Sequence, residues 1–137
     1  MIELPRPPFD LAEPRIEVFG IGNAGSNALD RIVLDGPNGL SLVAVNTDAQ
    51  RLAGSVAPTK VQIGQTITRG LGAGGDPDLG KNAAEEGIGE ILASLANVNI
   101  VVLVVGLGGG TGSGAAPVMA EVAREHGALL IVVATIP

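Results

Sequence analysis

Residues 99–135 read NIVVLVVGLGGGTGSGAAPVMAEVAREHGALLIVVAT, and this stretch decides the fold class. It opens on an unbroken apolar run, 99–106, of the kind found in a parallel strand covered on both faces. Glycines then crowd 106–114. After them the apolar period lengthens: Ala115, Ala116, Val118, Met119, Val122 and Ala123 form one stripe of a helix expected over Ser113–His126. Pro117 falls in the first turns of that helix, where its missing N–H has no intrahelical partner to lose. Gly127 suits the position just past a helix end. His126, the single histidine, sits where the helix dipole favours a positive charge. A second apolar run, 128–135, follows. Strand, glycine loop, helix and strand in this order build a parallel sheet with crossover helices.

The same alternation runs upstream. RIEVFG (15–20) reads as a strand, with Ile16, Val18 and Gly20 on one face and Glu17 and Phe19 on the other. Ser26–Asp35 reads as a helix with Ala28, Leu29, Ile32 and Val33 on its apolar side. Strands are expected at 40–46 and 60–64, with a helical turn at 49–53 between them. Gly64–Gly75 is too glycine-rich for an element and reads as a long loop. Asp76 as N-cap and Pro77 at the first helical position then open a helix to about Ala96. Its stripe is Ala83, Ala84, Gly87, Ile88, Ile91, Leu92 and Leu95. The expected fold is α/β: a doubly wound parallel sheet in the order 3-2-1-4-5, with the strand at 100–105 central and that at 60–64 an edge. Residues 1–14, with Pro5, Pro7, Pro8 and Pro14, read as a flexible N-terminal arm. Residues 15–137 read as one domain.

Composition narrows the chemistry. The 137 residues include 21 glycines but two Phe, no Trp and no Tyr, so a nucleobase finds little to stack on. The absence of cysteine excludes a disulfide scaffold and a Cys-based metal site. A net charge of −6 opposes a broad nucleic-acid footprint. The apolar runs are too short to span a bilayer, and no secretory pattern opens the chain. A cytoplasmic domain, bound neither to nucleic acid nor inserted in a membrane, is the expectation.

The glycine loops carry the function. Gly20-Ile21-Gly22-Asn23-Ala24-Gly25 matches G-x-G-x-x-G between strand and helix, a pattern that lets backbone approach a phosphate. Alone it also fits a tight turn. The second loop is more specific. Gly108, Gly109, Gly110, Gly112 and Gly114 around Thr111 and Ser113 carry a high entropic cost, which points to an anion nest with hydroxyls as further donors or metal ligands. Asn46-Thr47-Asp48 and Gly70–Gly75 follow the second and third strands, at the sheet edge where ligands of such folds bind. Asp48 serves equally as a turn or cap residue. No Gly-Lys-Ser/Thr occurs, so this is not a P-loop, and neither tight loop holds a Lys or Arg. Backbone dipoles, helix N-termini and Mg²⁺ are therefore expected to meet the phosphate charge. Arg69 and Lys81 flank the third glycine segment as surface charges. No Ser/His/Asp set and no HExxH is present.

These segments together resemble one family. GLGGGTGSGAAPVMAEVARE (106–125) is similar to the glycine loop and helix of the tubulin superfamily. GIGNAGSNAL (20–29), AVNTDAQRL (44–52), QIGQTITRGLGAGGDPDLGKNAAEE (62–86) and VATIP (133–137) are similar, in order, to segments of the FtsZ family of cell-division GTPases. The resemblance implies binding of GTP or GDP, with Mg²⁺. By position it places Asn23, Ala24, Gly25, Ser26 and Asn27 in the first phosphate loop, and Gly110, Thr111 and Gly112 at the centre of the second. Gly72, Ala73 and Gly74 fall near the γ-phosphate, and Asp48 at an acidic position. It implies head-to-tail filaments, with other division proteins as further partners. Asn23 stands where the family has glycine; if the position needs positive φ, asparagine is the least costly substitute. Ile136 stands where lysine is usual. The guanine-reading segment and the water-activating acidic loop of the family lie beyond Pro137, so the chain alone is expected not to turn GTP over. A dinucleotide-binding module using Gly20, Gly22 and Gly25 with Asp48, and a non-catalytic fragment of the same family, are the competing readings.

Overall fold

The computed structural model describes residues 14–36 and 40–136. The arm expected at 1–14 lies almost wholly outside them. Strands β1 (Ile16–Ile21), β2 (Ser41–Asn46), β3 (Thr59–Gln62), β4 (Ile100–Gly106) and β5 (Leu129–Thr135) form one sheet in the order β3-β2-β1-β4-β5. Every pairing is parallel. β4 lies between β1 and β5, interior as its unbroken apolar run requires, while β1 holds the middle place. β3 and β5 are the edges.

Alternation along the strands divides the core in two. Phe19, Ile21, Val43, Val45, Leu103 and Val105 face α4 (Pro77–Glu86), α5 (Ile88–Ser94) and α6 (Gly110–Glu125), packing on Ala83, Ile91, Met119 and Val122. Val18, Leu42, Ala44 and Val104 pack on the other side with Leu29 of α1 (Gly22–Asp35) and Leu52 of α2 (Ala49–Ala53).

Several boundaries differ from the sequence reading, each for a tertiary reason. α1 begins at Gly22 and α6 at Gly110, so both helices start inside their glycine motifs. Glycine is a poor helix former, yet here close packing demands it. A Cβ on Gly25 would overlap the Val104 carbonyl oxygen; one on Gly80 would overlap that of Gly110, and one on Gly114 that of Pro77. Pro117 is consequently inside α6 and not in its first turns; its exposed ring deprives the Ser113 carbonyl of the usual N–H partner. The helix expected over 77–96 is two helices meeting at Gly87, and Leu92 of the predicted stripe is 45% exposed. The expected loop 64–75 contains a helical turn, α3 (Gln65–Thr68). Its free N–H groups are met from α4: the Glu86 carboxylate accepts from Thr66 N at 2.9 Å and Ile67 N at 3.3 Å.

Candidate phosphate-binding cleft

Parallel strands send all their C-terminal ends to one edge, so the loops after β1, β2, β3 and β4 converge. They enclose a cleft of about 590 Å³. Gly22, Asn23 and Ala24 line it from the first motif, Asn46, Thr47 and Asp48 from the end of β2, Gly72, Ala73 and Gly74 from the third segment, and Gly109, Gly110, Thr111 and Gly112 from the second motif.

The helix ends at this cleft differ from those beside it. α2 is capped by Asp48, whose Oδ1 accepts from Gln50 N and Arg51 N. α4 is capped by Asp76, which accepts from Asp78 N. α1 and α6 have no side-chain cap and no acidic residue in the first turn. Their free N–H groups and dipole ends meet at one place, and such ends attract anions. Asp48 is the only ionisable side chain among the described lining residues. The cleft thus offers backbone donors to a negative group and no basic side chain.

Glycine is required here by conformation and by contact. Gly22 holds φ 76°, in the left-handed region. A Cβ on Gly110 would lie 2.6 Å from Asp76 N and 2.8 Å from Gly75 C, so the third segment closes directly on the start of α6. Asn23, by contrast, is not among the positive-φ residues; it is the second residue of α1. Its Oδ1 accepts from Asn46 Nδ2 at 2.9 Å.

Buried hydrogen bonds tie the loops together. The Thr47 and Thr111 hydroxyls are 2.6 Å apart, joining the end of β2 to the start of α6. Asn46 Oδ1 accepts from Thr47 N at 2.8 Å and from Asp48 N at 3.2 Å. Ala49 N donates to the Gly70 carbonyl at 3.0 Å. Asn46, 1% exposed, and Thr47, fully buried, are more deeply engaged than the sequence suggests. An asparagine ending an apolar strand at the ligand edge was the one signal of it.

Not every residue singled out by sequence reaches the cleft. Gly25 is buried against Val104, and Gly108 N donates to the Ser113 hydroxyl at 3.2 Å, bracing the turn before α6. Ser26 and Asn27 line a neighbouring groove of about 210 Å³ between α1 and α2, with Asp30, Gln50 and Arg51, and Asn23 borders both it and the cleft. The buried Ser26 hydroxyl has no partner among the described residues. His126 ends α6, away from the cleft lining.

Known proteins share this fold. The profile of the Tubulin/FtsZ family, GTPase domain, matches residues 15–137. The chain is 50% identical over 123 residues to the cell division protein FtsZ of Aquifex aeolicus, covering 90% of this chain and 34% of that protein. Its fold is similar to the FtsZ dimer of M. jannaschii, with a TM-score of 0.88 and 46% identity, over 91% of this chain and 36% of that one. It is also similar to CetZ2 from Haloferax volcanii, solved as a GTPγS-bound protofilament, with a TM-score of 0.72 and 33% identity over 88% of this chain and 39% of that one. The chain therefore spans about a third of the relatives it matches. On the match of its residues 15–137 it belongs to the Tubulin/FtsZ family.

Proposed function

We propose that this chain binds the phosphates of GTP and GDP in the cleft between the N-termini of α1 and α6. One observation carries the proposal: two uncapped helix starts converge on a cleft whose described lining holds no Lys or Arg. The GTPγS bound by the CetZ2 relative supports it. Gly22, Asn23 and Ala24 would cradle the phosphates from one side, and Gly110, Thr111 and Gly112 from the other. Gly72, Ala73 and Gly74 lie where a terminal phosphate would reach.

Mg²⁺ fits the donor set. Among the described residues no group of three His, Cys, Asp or Glu could hold a metal. Asp48 contributes one carboxylate, with Oδ1 taken by its helix cap and Oδ2 facing Gly72. One carboxylate, with phosphate oxygens and water completing the shell, is how Mg²⁺ is usually held beside nucleotides. The ion would neutralise phosphate charge that the backbone donors leave unmet.

In the intact protein we propose cell division as the role, in the cytoplasm, through head-to-tail filaments in which this cleft faces the next subunit. Other division proteins would be its further partners. The protofilament of the CetZ2 relative supports the assembly. Among the described residues no helix is long and apolar enough to cross a membrane. In such filaments the water-activating acids would come from the next subunit, so the chain by itself would bind GTP without turning it over.

Thermal protection tests the binding. GTP and GDP with Mg²⁺ should raise the melting temperature, and NAD should not; Thr111→Ala should reduce the shift. Protection by NAD alone would restore the dinucleotide reading.

A further inference from the structure

We propose that Asn46 fixes the polarity of the Asn23 carboxamide, so that Asn23 presents N–H donors, and not its carbonyl oxygen, to a phosphate in the cleft. The proposal rests on the phosphate-binding reading above and adds a side-chain determinant of anion affinity to it.

The orientation of a carboxamide is settled by its partners. Asn46 Oδ1 accepts from two backbone N–H groups, Thr47 N and Asp48 N, which can only donate. Its Nδ2 must therefore face the other way, toward Asn23. A donor arriving there requires an acceptor, so Asn23 turns Oδ1 to it. Asn23 Nδ2 is left without a partner among the described residues, on a residue that borders both the cleft and the groove of Ser26 and Asn27. Asn46 is 1% exposed and cannot reorient toward water, so the polarity passes from backbone to Asn46 to Asn23. Asn23 itself is exposed, in the first turn of α1. Its donors add to the backbone N–H groups there, in a cleft that has no Lys or Arg among its described lining.

The test is a calorimetric titration of the 137-residue chain with Mg·GTP, comparing Asn23→Ala and Asn23→Asp. The position is exposed, so both variants should fold; circular dichroism melts check this. Asn23→Ala removes the donors and should weaken binding up to about tenfold, the low end for a hydrogen bond to a charged group. Asn23→Asp still accepts from Asn46 Nδ2 but sets a carboxylate oxygen toward the phosphate. It should bind more weakly than Asn23→Ala, and the gap between the two should narrow at high salt. A residue that merely braces the loop would give the opposite order, because Asp keeps the Asn46 contact and Ala loses it. Asn23→Asp binding as well as or better than Asn23→Ala overturns the proposal and leaves the cleft intact. Asn23→Ala binding as tightly as the wild type also overturns it. A wild-type chain that binds no GTP overturns the phosphate reading and this inference together.

Discussion

Gly114→Ala places a methyl group where α6 crosses α4. In an exposed helix interior this exchange should help, by about 1 kcal/mol of propensity. Here the new Cβ would overlap the Pro77 carbonyl oxygen and lie 2.6 Å from Lys81 N. Both obstacles are backbone, so no rotamer change relieves them. Ordinary contact begins at 3.4 Å, so the two helices must part by roughly an ångström in an interior with few voids to absorb the shift. Overpacking of this kind costs about 1–3 kcal/mol, and rigid backbone on the far side puts this site at the upper end. After the propensity gain the net loss is about 2 kcal/mol, which for a domain of this size lowers the melting temperature by roughly 6–10 °C. Gly89→Ala on α5 is the matched control: its Cβ would meet nothing within 4 Å, so stability should rise, by up to about 1 kcal/mol. Urea denaturation of both variants at one protein concentration gives the comparison. If Gly114→Ala gains stability as Gly89→Ala does, the close α4–α6 contact that seats Gly110 and Thr111 at the cleft is not there.

Thr47→Val leaves the buried Thr111 hydroxyl without its partner and should cost about 1–3 kcal/mol in urea denaturation, while Thr47→Ser restores most of it; a neutral Val variant would show that the 2.6 Å contact does not matter. Glu86 is held below the ordinary carboxylate range, first by the Thr66 N–H it accepts and further by the Thr66 side chain and Ile67 N–H. A depressed pKa contributes stability that is present above the unfolded value of about 4.5 and lost as pH falls through the folded one. The protection factors of the Thr66 and Ile67 amides in hydrogen exchange should therefore fall selectively on acidification below that range, and in Glu86→Gln already at neutral pH; protection there that ignores both would contradict the capping role. β5 is an edge strand with Leu129 61%, Ile131 46%, Val132 51% and Val133 46% exposed, a β-branched, uncharged edge of the kind that pairs with other chains. The 137-residue chain should self-associate at tens of micromolar in sedimentation, and Ile131→Lys should reduce it; a wild-type monomer would mean the edge is protected.

Sheet order and the position of the cleft were legible because they depend on patterns within single segments. The apolar run of β4, the helical stripes and the glycine motifs each declare themselves locally. What escaped was set by contacts between distant segments. α3 exists because Glu86, twenty residues on, supplies its cap. The starts of α1 and α6 hide inside glycines, whose low propensity reads as loop until the strand and helix pressed against them are known. The break at Gly87 reflects Ile63, whose Cγ2 would lie 2.7 Å from an added Cβ. Asn23 looked like a substitute for glycine at a left-handed position, yet Gly22 holds that conformation and Asn23 pairs with Asn46 across the sheet edge. Ser26 and Asn27 carry the motif's spacing but, one helical turn on, face a different groove.

The most direct measurement is an amide nuclear magnetic resonance titration of the ¹⁵N-labelled chain with Mg·GTP, run on Ile131→Lys if the edge broadens the wild-type spectrum. If free helix N-termini hold the phosphates, the amides of Gly22–Ala24 and Gly110–Gly112 should shift together and saturate with one affinity. Gln50 and Arg51 N–H, already bonded to Asp48, should move little. Shifts confined to the groove at Ser26, Asn27 and Asp30, or no saturable shift at either helix start, would contradict the account.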